Sequence, residues 1–88
     1  SGVYLGTIPD YVSGDEGLKL SGVRPNSPAE KAGVRGGDVV VELGGVAVKN
    51  IYDYTYAMDG LKVGQKTKMV VLREGKKIEL EIVPGTRD

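Results

Sequence analysis

Asn26-Ser27-Pro28-Ala29-Glu30-Lys31-Ala32-Gly33 is the stretch on which the fold turns. Ser27 carries the hydroxyl an N-cap needs, Pro28 suits the first helical position because the N–H it lacks would be unpaired there, and Glu30 completes a capping box. Gly33 then ends the helix. Two turns of helix are unstable alone, so this one must dock on a sheet. The residues that follow supply one: Gly37-Asp38 reads as a tight turn, Val39-Val40-Val41-Glu42-Leu43 as a strand, and Gly44-Gly45 as a turn into the short run Val46-Ala47-Val48.

Upstream, residues 3–12 are apolar and aromatic but broken by Gly6 and Pro9, the pattern of a strand with an irregular start. Residues 13–17 are a loop by composition and Leu18-Lys19-Leu20-Ser21 alternate, so the two segments predict a hairpin. Downstream, Asn50 is a second cap with Asp53 well placed in the first turn, and the helix it opens is predicted to run to about Leu61. Ile51, Tyr54, Met58 and Leu61 recur at helical spacing and share one face. Residues 66–72 and 77–83 read as strands, the second with Ile78, Leu80 and Ile82 alternating against Glu79 and Glu81. This order predicts a small β-rich α+β domain, a partly open antiparallel barrel of about five to six strands capped by two helices.

Composition narrows the function. With 88 residues the chain is read as a single domain over 1–88, Ser1-Gly2 as a leftover of cloning, and the whole as a piece excised from a larger protein. Twelve basic residues balance twelve acidic ones, so no basic stripe points to nucleic acid. No apolar run reaches the length of a membrane span, and membrane insertion is not expected. His and Cys are both absent, which removes the usual general base, the thiol nucleophile and the best zinc ligands. Asp15-Glu16 and Glu79/Glu81 have nothing to perturb them and lack the spacing of a calcium loop. The expectation is therefore a chain with no catalytic residues, no metal and no cofactor. Lys62, Lys66 and Lys68 read as a solvated surface, and Tyr52, Tyr54 and Tyr56 cannot share a helical face, so they form no stacking platform for bases.

Ser27-Pro28-Ala29-Glu30-Lys31-Ala32-Gly33-Val34, Gly37-Asp38-Val39-Val40 and Gly44-Gly45-Val46-Ala47-Val48 together resemble the signature of bacterial PDZ domains. The order of elements is similar to the circularly permuted bacterial form, in which the last strand, residues 78–83, replaces the first strand of animal domains. The resemblance implies a loop, Tyr4-Leu5-Gly6-Thr7, whose backbone amides bind a peptide's terminal carboxylate without needing an arginine. It implies a peptide lying as an added antiparallel strand beside residues 7–11, against the second helix. The groove residues would be Ile8, Tyr54, Thr55, Met58 and Leu61, with Leu5 and Ile8 at the floor and Thr55 or Ala57 reached if the register slips by one. Ile51, Met58 and Leu61 also read as core, Met58 and Leu61 equally as groove and core, whereas Tyr54 suits a half-wet wall with an exposed hydroxyl.

Pro9 departs from the pattern, because it has no amide to donate where the edge strand would pair with peptide. Binding of a lone peptide is accordingly expected at about micromolar affinity or weaker. The runs Leu5-Gly6-Thr7-Ile8-Pro9-Asp10-Tyr11 and Ile51-Tyr52-Asp53-Tyr54-Thr55-Tyr56-Ala57 look like PDZ domains appended to bacterial zinc aminopeptidases, and less closely like those of HtrA-type and tail-specific proteases. These parents work outside the cytoplasm. The expected role is capture of a polypeptide's C-terminal residues for a linked peptidase domain in an extracytoplasmic location, serving substrate recognition or regulation. The alternative is a structural or regulatory domain docked on its own catalytic domain with a closed groove.

Overall fold

A computed structural model of the chain describes residues 2–11 and 16–87. Ser27 caps α1 (Pro28–Ala32), its Oγ accepting the N–H of Glu30 at 3.1 Å. The Glu30 carboxylate reaches one residue further back than a standard capping box and accepts the N–H of Asn26 at 2.7 Å. Asn50 caps α2 (Ile51–Asp59) in the same way: its Oδ1 accepts the N–H of Asp53, and Asp53 accepts the N–H of Lys49, both at 2.9 Å. Helix α2 stops short of the predicted Leu61. Gly60 and Leu61 donate to carbonyls three residues back, Ala57 at 3.1 Å and Met58 at 3.0 Å, which tightens the chain out of the helix at a residue of poor helical propensity.

The strands are β1 (Thr7–Pro9), β2 (Leu18–Val23), β3 (Val39–Leu43), β4 (Val46–Ala47), β5 (Thr67–Arg73) and β6 (Lys76–Ile82). They form one antiparallel sheet in the order β1-β2-β3-β5-β6, with β4 paired to β3. The predicted hairpin of the first two segments is present as β1 and β2, while the loop predicted over 13–17 falls mostly outside the described residues. The sheet does not close into a barrel. Strand β1 is three residues long and its register slips between Ile8 and Pro9, so it offers no ladder for β6 to complete. The two ends of the sheet meet only at a corner, where Tyr4 and Gly85 exchange backbone hydrogen bonds of 2.7 and 3.0 Å.

Leu5, Leu20, Val40, Leu43, Met69, Val71 and Ile82 form the centre of the core, and α2 adds Tyr54 and Ala57 to it. Along β6 the alternation read from the sequence holds, with Ile82 buried, Ile78 and Leu80 half-buried, and Glu79 and Glu81 exposed. Lys66 pairs with Glu81, and Lys68 with Glu42 and Glu79, at the surface.

Among the described residues, one charge is buried. Asp38, 1% exposed, accepts hydrogen bonds from Arg73 Nε and Nη2 and from the Arg35 N–H, each at 2.9 Å, while Arg73 Nη2 also reaches the Gly33 carbonyl at 2.8 Å. This cluster ties the end of α1, the Gly37-Asp38 turn and β5 together. Burial alone would raise the Asp38 pKa, but the Arg73 hydrogen bonds, the Arg35 N–H and the two positive charges outweigh it and hold the carboxyl below its usual value. The stabilisation is therefore complete above the unfolded carboxyl pKa near 4 and is lost as pH falls through the lower folded value. Because Arg73 is itself partly exposed, Asp38→Asn is expected to destabilise by about 2–3 kcal/mol at neutral pH, below the upper end for fully buried pairs. Urea unfolding from pH 7 down to pH 2 checks both points: the variant's deficit should shrink below pH 4, and a pH-independent deficit would contradict the assignment.

Candidate functional site

Three successive carbonyls at the start of the chain are tied down. Tyr4 C=O accepts the N–H of Gly85 at 3.0 Å, Leu5 C=O that of Ala29 at 2.8 Å, and Gly6 C=O that of Arg24 at 2.8 Å. Ala29 lies in the first turn of α1, where backbone N–H groups have no partner within the helix, so Leu5 supplies a needed acceptor. No peptide bond is cis among the described residues. In a trans peptide the C=O of one residue and the N–H of the next point in opposite directions, so the N–H groups of Leu5, Gly6 and Thr7 all face away from these anchors. Leu5 and Gly6 N–H meet no acceptor among the described residues. Gly6 has φ of 83°, and a Cβ there would collide with the Ser27 side chain, whose Oγ would stand 2.6 Å away. Only glycine fits. Tyr4 differs from the other three predicted loop residues, since its own N–H is bonded to Gly85 O.

These amides open onto a groove of about 330 Å³ between β1 and α2. Leu5, Gly6, Thr7 and Pro9 form one side of it and Ile51, Tyr54, Thr55 and Met58 the other, with Val3, Tyr4, Arg24 and Arg87 around the end. Seven of the predicted residues, Tyr4, Leu5, Gly6, Thr7, Tyr54, Thr55 and Met58, come together there. Ile8 and Leu61 do not line it. Thr7 turns its side chain towards α2, so strand alternation sends Ile8 to the opposite face, where its Cδ1 lies 4.0 Å from the place a Gly22 Cβ would occupy. Leu61 falls beyond the end of α2 and packs against the Gly44 turn.

Ile51 and Met58 are half-buried and pack on the core while also lining the groove, so the two readings of that helical stripe hold at once. The residues missed from the sequence are Val3, Arg24 and Arg87, together with Ile51, which reads there as core; Pro9 falls on the predicted pairing edge. Arg24 follows the strand that pairs with β1, which is a usable signal. Arg87 had none: it is delivered by the Tyr4–Gly85 bridge, and its guanidinium carbon sits 5.4 Å from the centre of the Tyr4 ring.

The open edge of β1 is short. Gly6 C=O and the Asp10 N–H, which donates to Lys19 O at 2.8 Å, both face β2, as does the Ile8–Gly22 pair between them. Alternation leaves the backbone groups of Thr7 and Pro9 on the groove side, and Pro9 contributes only its carbonyl.

Tyr54 is not the half-wet wall expected of it. The side chain is 3% exposed and its hydroxyl meets Thr7 Oγ1 at 2.7 Å, a bond that joins α2 to β1 across the groove floor. Burial pushes the phenol up to about 12, the Thr7 hydrogen bond offsetting only part of that effect.

The sequence profile of the PDZ domain matches residues 5–83. The chain belongs to the PDZ family. It is a peptide-binding module and carries no catalytic fold of its own. Among curated relatives, the Bacillus subtilis serine protease Do-like HtrB is 45% identical over 73 residues, covering 82% of this chain and 16% of that protein. The Salmonella typhimurium periplasmic serine endoprotease DegP is 35% identical over 71 residues, 81% of this chain and 15% of its own length. This PDZ domain thus spans about a sixth of these relatives. Among solved structures, the HtrA-type protease AlgW with decapeptide superposes at a TM-score of 0.87 and 24% identity, over 98% of this chain and 30% of that one. An aminopeptidase N family protein from Idiomarina loihiensis gives 0.83 at 17% identity, over 98% of this chain and 14% of that one, a likeness of fold alone.

Because the folded Tyr54 pKa is raised above the unfolded value of 10, its contribution to stability is complete below pH 10 and is lost as pH rises towards 12. A difference absorbance titration of wild type against Tyr54→Phe should show the missing phenolate appearing near pH 12 in the folded domain. Its appearance at pH 10 would contradict the buried Thr7–Tyr54 bond.

Proposed function

We propose that the domain captures the C-terminal residues of a polypeptide by adding them as a further antiparallel strand along β1, with the terminal carboxylate held by the N–H groups of Leu5, Gly6 and Thr7. The observation that carries this reading is the set of three anchored carbonyls at Tyr4, Leu5 and Gly6, which leaves three consecutive donors pointing the other way. Successive donors of this kind make an anion-binding concavity that needs no charged side chain. The last side chain would enter the groove between Leu5 and Met58, over the Tyr54 ring. The AlgW structure, of the same fold, was solved with a decapeptide.

Affinity should be modest. Two or three charge-assisted hydrogen bonds, the Thr7 and Pro9 groups on the short edge and one buried side chain stand against the ordering of the peptide, which gives a Kd of about 1–100 μM. We place the domain beside a peptidase domain in an extracytoplasmic compartment, where it would recognise substrates or regulate cleavage. The support is that both curated relatives named above are serine proteases, the Salmonella one periplasmic, and that this chain matches only a small part of each. One observation favours the second reading, a domain docked on its own catalytic partner: Pro9 leaves the three-residue β1 edge without one of the donors a peptide would pair with.

Fluorescence anisotropy separates the two. A labelled hexapeptide ending in Val with a free carboxylate should saturate with a Kd of about 1–100 μM, and its C-terminal amide should bind at least about tenfold more weakly. Failure of every apolar-ended free acid to bind at millimolar concentration would favour the docked domain.

A further inference from the structure

Among the described residues, the end of the groove carries two cations and no acid. Arg24 and Arg87 both line it, both are exposed, and neither forms an ion pair among the described residues. The main chain holds both arginines in place. Arg24 is fixed by its N–H on Gly6 O, and Arg87 lies two residues beyond the Gly85 that is bridged to Tyr4. Arg87 rests over the face of the Tyr4 ring, a placement that leaves the edge of the guanidinium free to donate.

One terminal carboxylate, already met by three amides, does not call for two further positive charges. We infer that this groove prefers peptides whose penultimate residue is acidic, with Arg24 and Arg87 setting that preference. The inference rests on the carboxylate capture proposed above. Side chains of an added strand alternate, so if the last one enters the groove floor, the penultimate one points to the open rim. Arg24 and Arg87 line the same groove and are exposed, so they are the cations open to such a side chain. A second carboxylate there would lie close to the first and repel it in the absence of compensating charge. Two arginines against two carboxylates balance the site, and a lysine at the same position would be repelled. Since both arginines are solvent-exposed, the gain should be about three- to fivefold in affinity at low salt and should fade as salt screens it.

The test is a set of hexapeptides identical except for Glu, Gln or Lys at the penultimate position, each as free acid and as amide. They are titrated into the 88-residue chain and into an Arg24→Gln/Arg87→Gln double variant. In the wild type the Glu free acid should bind about three- to fivefold more tightly than the Gln free acid, and the Lys peptide more weakly than either. The Glu-to-Gln ratio should approach one in the double variant, and also in the wild type at about 0.5 M salt, a readout that needs no variant to fold. Equal binding of Glu and Gln peptides, with both weakened by amidation, would overturn this preference and leave carboxylate capture standing. A Glu preference that survives in the double variant would overturn its assignment to these arginines. Absence of binding by every free acid would overturn both.

Discussion

The hydrogen bond from the Ala29 N–H to the Leu5 carbonyl, 2.8 Å long, joins the two parts on which the site depends. On one side it gives the first turn of α1 an acceptor that the helix cannot provide. On the other it fixes the Leu5–Gly6 peptide plane, and with the bonds at Tyr4 and Gly6 it fixes three planes in succession. The capped helix that decides the fold is thus also the device that orients the loop. Ser27 serves both ends of this arrangement: its hydroxyl caps α1, and its side chain packs so close to Gly6 that no other residue fits there. A change that loosened α1 would be felt as misdirected amides, although α1 does not line the groove except through the loop it holds.

The groove floor is built on a different kind of constraint. Tyr54 and Thr7 are 47 positions apart, yet their hydroxyls meet at 2.7 Å and tie α2 to the edge strand. A buried phenol needs such a partner, and the bond sets the width of the groove at the point where the last peptide side chain would enter. The bond uses side-chain hydroxyls only, so the main-chain groups of Thr7 stay on the edge, next to the donor missing at Pro9. On the proposed reading such a site would hold its ligand mainly by the carboxylate end, the short β1 adding only a few main-chain groups.

What the sequence made legible followed from local chemistry. The caps at Ser27 and Asn50, Pro28 at the first helical position, the stop at Gly33 and the alternation along β6 each depend on residues a few positions apart, and each was found where it was expected. Gly6 was readable as a special backbone position for the same reason. The partly open sheet was legible too, but its cause was not: the slip between Ile8 and Pro9 and a strand too short to be joined by β6. Leu61 was assigned to the groove by extending the helical period past Gly60, where the backbone had already left the helix. Ile8 was assigned by proximity to the loop, whereas the side-chain direction is set by Thr7 facing Tyr54. The buried hydroxyl of Tyr54 and the position of Arg87 rest on contacts between distant segments, and no local pattern encodes them.

With the Tyr4, Leu5 and Gly6 carbonyls anchored, the N–H groups of Leu5, Gly6 and Thr7 point outward, where on the proposed reading they receive a carboxylate. The most direct measurement is the amide proton shift of these three residues in the 15N-labelled domain as a free-acid peptide is added. The expected result is a downfield movement of all three that saturates together and is absent with the amidated peptide. Shifts confined to α2 and the rest of β1, with these three amides unmoved or responding equally to the amide, would contradict it.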